Sequence, residues 1–207
     1  MTAPGRRPRW PGADLPGRRL FIAVPLTPDA TSEIAALVDR VRSEGVPGGG
    51  HDVRWVRLDG LHLTLRFLGP TLDDRVDPAR DAVRAAAAAS ASFDVSIGGA
   101  GAFPSAARPR ALWLGVRVGE ADLGNLALTV DRALIAAGWG WEVKPYTAHL
   151  TIARADGIQA GSAIGNRLAA AAAGMDVRFR ADRMGLFESL TGGGPARYEP
   201  LEMVDLT

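Results

Sequence analysis

Short apolar–polar alternations along the chain are separated by stretches of helical spacing, and glycine or proline marks most of the joins. Arg19-Leu20-Phe21-Ile22-Ala23-Val24 is a compact apolar run suited to a buried strand. Thr27-Pro28 offers an N-cap followed by proline at the first helical position. Ile34, Leu37, Val38 and Val41 follow at helical spacing, and Gly45 supplies the stop. Beyond a glycine-rich loop at 47–50, residues 53–56 predict a strand. Residues 61–67 predict another, which ends at Gly69-Pro70. Asp77-Pro78 predicts a second helix by the same cap-then-proline logic, running to about Ser90. Residues 93–97 alternate as a strand, and 98–109 read as a loop whose one large apolar anchor is Phe103. A strand at 112–118 follows. Leu123, Leu126, Val130 and Leu134 mark a third helix, stopped at Gly138. Residues 139–147 lead into one more alternating strand, 149–154. A fourth helix is predicted at 162–173, capped by Gly174. Closing strands at 177–190 and 198–206 flank a Gly-Gly-Gly-Pro turn at 192–195.

Two of these strands carry the same chemistry. Side chains two apart share a face, so in Leu61-His62-Leu63-Thr64-Leu65-Arg66-Phe67 the residues His62 and Thr64 project together. In His149-Leu150-Thr151-Ile152-Ala153-Arg154 the pair is His149 and Thr151. The chain has three histidines, and two of them occupy this one pattern. The surroundings repeat as well. Residues 20–24 match 112–116 in character, Val38-Asp39-Arg40 matches Val130-Asp131-Arg132 in identity, and the two matches share an 18-residue spacing. The order strand, helix, His/Thr strand therefore predicts two lobes related by a pseudo-twofold, with both motifs at one central cleft.

Composition narrows the chemistry. Over 207 residues, 47% hydrophobic and 23% charged content fits one globular domain, or two small lobes sharing a cleft. The net charge of +1 gives no polyelectrolyte character, and the positive charge is arginine apart from Lys144. Cysteine is absent, which removes disulfides, thiolate metal sites and thiol nucleophiles together. No apolar run is long enough to span a membrane. Residues 1–17 are rich in Pro, Gly and Arg, predicting a disordered tail without the apolar segment of a secretory signal. The expectation is a cytoplasmic monomer whose single bilobal domain covers 18–207.

Two imidazoles facing across a cleft suit concerted proton transfer, because histidine populates both protonation states near neutral pH. One deprotonates a water while the other protonates a departing oxygen. The hydroxyls of Thr64 and Thr151 can donate to phosphoryl oxygens held between them. Hydrolysis of a phosphodiester without a metal fits this set, and a strained cyclic diester fits it well. A zinc site is the functional rival. It would need three or four ligands, and neither a cysteine nor a third histidine at matching spacing supplies them. His51, in a glycine-rich stretch, reads as a surface residue. No nucleophile elbow and no phosphate loop occurs. Among further candidates for substrate contact, strand parity places Arg66 in phase with His62 and puts Arg154 off the histidine face unless a bulge re-aims it. Trp55, Phe67 and Tyr146 are candidates for stacking a base. Phe67 shares the core phase of Leu63 and Leu65, so core packing is the expectation for it.

The motifs His62-x-Thr64-x-x-Phe67 and His149-x-Thr151-x-x-Arg154 resemble those of the 2H phosphoesterases, in the branch of RNA 2′,3′-cyclic phosphodiesterases historically called 2′-5′ RNA ligases. The likeness extends through 19–25, 112–115, 186–189 and 198–200. It departs at Ala148, where the family usually has proline. The resemblance implies a bilobal α+β fold with two antiparallel sheets flanking the cleft. It also implies opening of an RNA-terminal 2′,3′-cyclic phosphate to a 2′-phosphate without a cofactor or metal. His149 is implied as base, His62 as acid and Arg154 as a phosphate contact. Ligase or transesterase use of the same site, and an RNA- or nucleotide-binding module without turnover, are the rival functions.

Overall fold

In the computed structural model, residues 16–45, 52–192 and 194–207 are described. Most of the predicted tail, the 47–50 loop and His51 lie outside those residues. The elements run β1 (Arg18–Pro25), α1 (Pro28–Ser43), β2 (Val53–Trp55), β3 (His62–Thr71), α2 (Val76–Ala88), β4 (Phe93–Phe103) and β5 (Ala111–Val118). They continue with α3 (Glu120–Ala136), β6 (His149–Ala155), α4 (Ile158–Ala172), β7 (Val177–Ala181), β8 (Arg183–Leu190) and β9 (Arg197–Asp205). Two antiparallel sheets result, one ordered β3-β1-β8-β9 and the other β2-β6-β5-β4-β7. This is the expected α+β class. Each His/Thr strand pairs with the apolar strand that opens its half, β3 with β1 and β6 with β5.

Helix α1 begins as its cap predicts, with the Ala30 N–H donating to the Thr27 hydroxyl at 3.4 Å. Its apolar stripe Ile34, Leu37, Val38 and Val41 is buried, as is the stripe Leu123, Leu126, Val130 and Leu134 of α3. The repeat has a twist that spacing did not reveal. Helix α1 packs on α4 and β7, beside the five-stranded sheet, whereas α3 packs on α2 and β3, beside the four-stranded one. Each strand–helix–strand unit thus lends its helix to the opposite lobe, and burial of these stripes ties the two halves together.

Several boundaries differ from expectation, among them the start of α4, which is Ile158 rather than 162. Helix α2 starts at Val76, continuing a 3-10 turn at Asp73–Arg75, so Asp77 sits in the first turn and holds Arg80 at 2.8 Å instead of capping. The stretch 98–103 is strand, the second half of β4. Two of its glycines answer close approach: a Cβ on Gly101 would collide with the Trp113 ring, and one on Gly98 with the Met175 carbonyl, whereas Gly99 adopts a positive φ of 72° in open space. The closing stretch 177–190 breaks at Asp182 into β7 and β8, which belong to different sheets.

Candidate active site

Strands β3 and β6 lie against one another where the two sheets meet. Thr64 pairs with Ala23 and Thr151 with Trp113, so the cleft faces of β1 and β5 are Phe21, Ala23 and Trp113, Gly115. Beneath them, Leu20, Ile22, Val24, Leu112 and Leu114 are buried core.

Both histidines are anchored alike. His62 Nδ1 lies 2.7 Å from the Gly60 carbonyl oxygen, and His149 Nδ1 lies 2.8 Å from that of Thr147. A carbonyl only accepts, so each Nδ1 carries the proton and donates, leaving Nε2 as the nitrogen for a substrate. The His62 ring packs at 4.7 Å from Phe21 and meets Tyr198 edge-on at 4.9 Å. The His149 ring meets Phe103 edge-on at 4.9 Å, with Trp113 at 6.4 Å. These aromatic walls desolvate the rings. Burial holds the His62 pKa below the ordinary histidine value, against the Gly60 bond, and the charge of His149 lowers it further. His149 is likewise lowered, chiefly by burial and then by the positive charge of Arg154. The histidines sense each other, and a cation stands beside one of them.

The arginines reverse the parity expectation, for one reason that acts twice. Ile22 pairs with Arg66 and Ala23 with Thr64, so Leu65 is an extra residue in β3. Leu112 pairs with Ala153 and Trp113 with Thr151, so Ile152 is an extra residue in β6. A bulge three residues after each histidine turns the side chains that follow it, Arg66 and Phe67 in β3 and Arg154 in β6, to the opposite face from the one parity gives. Arg66 is turned away from the histidines, with its side chain 10% exposed and its Nη1 held at 2.7 Å by Asp131 of α3. Phe67 is turned outward onto the cleft face, 62% exposed, with its ring 6.1 Å from Phe21. It is not core. Arg154 is turned onto the histidine face, beside Arg54, and its charge reaches both His149 and Tyr198. Position five after each histidine therefore enters the cleft in both lobes, as an aromatic ring in one and a cation in the other.

The other two candidates stand back. Trp55 pairs with Ala153, on the buried face of its sheet, and the Arg42 guanidinium of α1 covers its ring at 4.8 Å. Tyr146 packs against the core with its hydroxyl enclosed, and burial pushes its ionisation up. Missed altogether were Phe21, Phe103, Trp113, Phe187 and Tyr198, which wall the rings. Phe21 and Trp113 occupy corresponding places in the repeat, and that equivalence was the available signal. Among the described residues no group of three His, Cys, Asp or Glu side chains is placed to hold a metal ion.

A fold of two pseudo-equivalent lobes, each presenting His-x-Thr to a shared cleft, defines the class. The family model for the 2′-5′ RNA ligase superfamily matches residues 26–193, and the chain belongs to that family. Relatives named RNA 2′,3′-cyclic phosphodiesterase include one from Geobacillus stearothermophilus, 36% identical over 65% of this chain and 41% of its own length. Another, from Archaeoglobus fulgidus, is 33% identical over 66% of this chain and 72% of its own. The chain thus spans less than half the length of the first of these curated relatives. Solved structures share the fold. A Thermus thermophilus protein aligns with a TM-score of 0.72 at 22% identity, over 91% of this chain and 97% of its own. E. coli LigT complexed with 3′-AMP aligns with a TM-score of 0.68 at 24% identity, over 92% and 98%. No helix among the described residues is long and apolar enough to cross a membrane.

Proposed function

We propose that the protein hydrolyses RNA-terminal 2′,3′-cyclic phosphate to a 2′-phosphate without a metal, using His149 as general base and His62 as general acid. The observation that carries this reading is the matched pair of Nδ1-anchored rings on β3 and β6, each with a threonine two residues on and on the same face. In the reaction, Nε2 of His149 takes a proton from water as its oxygen bonds to phosphorus. The bond from phosphorus to the 3′ oxygen breaks, and that oxygen receives the proton on Nε2 of His62. The net change is addition of one water, and proton exchange with solvent restores both rings. Thr64 and Thr151 donate to the non-bridging oxygens, where charge grows in the transition state.

The unequal surroundings of the rings support the assignment of roles. Arg154 favours the neutral form of His149, which a base must have, and its charge also suits a phosphoryl group. The exposed Phe67 ring lies on the His62 side, where the leaving 3′ oxygen places the terminal ribose and its base. The names of the relatives agree with this substrate.

The test supplies RNA ending in 2′,3′-cyclic phosphate together with a 5′-hydroxyl RNA, in EDTA. Shortened products are not expected, and the cyclic end should open to a monophosphate. Joining of the two strands in preference to opening would favour the ligase reading, to which the family description also points. Tight binding without either product would favour a binding module.

A further inference from the structure

The side chain that parity had aimed at the substrate does something else. Arg66 lies four residues after His62 on the same strand, and its guanidinium is almost fully enclosed. Nη1 reaches Asp131 Oδ1 at 2.7 Å and Glu142 Oε2 at 3.5 Å, while Nη2 donates to the Gly140 carbonyl at 2.8 Å. Asp131 Oδ2 in turn accepts the Glu142 N–H at 3.4 Å. Gly140 and Glu142 belong to the irregular run 139–148, whose Thr147 carbonyl orients the His149 ring. The run is pinned just upstream of the network too, since Arg75 covers the Trp139 ring at 4.0 Å and donates to the Ala137 carbonyl.

We infer that Arg66 is a positioning residue that couples the two halves of the site. From the strand of His62, it fixes the run that sets the orientation of His149. The inference rests on the two-histidine reading, since coupling matters only if both rings serve one reaction. The pseudo-symmetry singles the network out. The corresponding place on β6 is Ala153, buried in the core, and Asp39, the repeat partner of Asp131, lies exposed with Arg42. Fold symmetry therefore does not require an arginine here. Only the first lobe carries the latch, and the irregular run it grips leads into the second histidine. A guanidinium is suited to the task, because its delocalised charge faces two carboxylates while Nη2 donates to a carbonyl.

Simple truncation would confuse positioning with stability, because it strands Asp131 as a buried charge. The test therefore uses a double variant, Arg66→Met with Asp131→Leu, which removes both charges and keeps an apolar filling. A second variant, Arg66→Lys, retains the ion pair but cannot span all three partners. Thermal melts of the double variant should stay close to the wild type, since apolar replacement of a buried pair is often neutral. On cyclic-phosphate RNA both variants should lose about 10- to 100-fold in kcat with KM within about twofold, as expected for a misplaced proton-transfer group. In NMR spectra without substrate, the Nδ1–H resonance of His149 should shift or exchange away while that of His62 stays. This second readout needs no turnover, so it separates failure of the latch from failure of the proposed reaction. If the double variant does not fold, Arg66→Lys decides alone. Folded variants with wild-type kcat and an unmoved His149 signal would overturn the inference.

Discussion

Replacing Arg154 with methionine keeps a long side chain on β6 while removing the cation beside His149. Two effects should separate. First, a charged donor to a phosphoryl oxygen is lost. Hydrogen bonds to charged groups contribute about 1.5–3 kcal/mol, so kcat/KM on cyclic-phosphate RNA should fall about 10- to 150-fold. Second, Arg154 now lowers the His149 pKa, so removing it should raise that pKa. A general base acts only when unprotonated, so the acidic limb of the kcat/KM profile should move to higher pH. The alkaline limb, assigned to His62, should move less, because Arg154 is not among the groups that shift His62. The assay is initial-rate hydrolysis of a short cyclic-phosphate oligonucleotide across the pH range at fixed ionic strength. A loss below about threefold with an unmoved acidic limb would refute the reasoning, because the bulge at Ile152 would then not deliver Arg154 to the substrate.

Further outcomes follow from the same geometry. Thr64→Val and Thr151→Val each remove one phosphoryl donor while preserving shape, and each should lower kcat by about 10²–10³-fold; unchanged kcat would mean that hydroxyl does not touch the substrate. His62→Ala should recover much of its rate on a diester whose 3′ leaving group is a nitrophenolate, whereas His149→Ala should stay slow; rescue of His149→Ala instead would exchange the two roles. Stability should depend on pH in a stated direction. Both histidines sit below their ordinary value of 6.5 in the folded protein, so the unfolded chain binds more protons under mildly acidic conditions. Their contribution is then fully present above about pH 6.5 and lost as pH falls through the folded values. Melting temperatures should drop from neutral pH towards pH 5 less steeply in a His62→Asn/His149→Asn variant, and equal slopes would contradict rings whose pKa burial lowers.

Much of this architecture was legible in the chain. Alternation exposed both His/Thr strands, because a two-residue period is unmistakable when polar residues punctuate an apolar run. The matched spacing of 20–24, 38–40 and their partners supplied the pseudo-twofold. What parity could not deliver was any side chain beyond the bulges. Leu65 and Ile152 are ordinary β-sheet residues, and the extra residue in each strand is visible only against the partner strand. Parity alone therefore put Arg66 and Phe67 on the wrong face, and Arg154 reached the histidine face through the bulge on which that expectation had been made conditional. Trp55 depended on the same bulge, since its face follows from its pairing with Ala153. Gly98 and Gly101 read as loop because their reason, the Met175 carbonyl and the Trp113 ring, comes from other parts of the chain. Tyr198 and Phe187 reach His62 from the far end of the chain, a contact that no local pattern announces.

The central claim is that two histidines, without a metal, open a cyclic phosphate by expelling the 3′ oxygen. The most direct measurement is phosphorus NMR of an RNA bearing a 2′,3′-cyclic phosphate, followed with the purified protein in excess EDTA. The account predicts conversion of the cyclic signal to that of a terminal 2′-monophosphate, at a rate unaffected by the chelator and abolished in both His62→Ala and His149→Ala. Accumulation of the 3′-monophosphate, or turnover that disappears in EDTA and returns with added divalent metal, would contradict it.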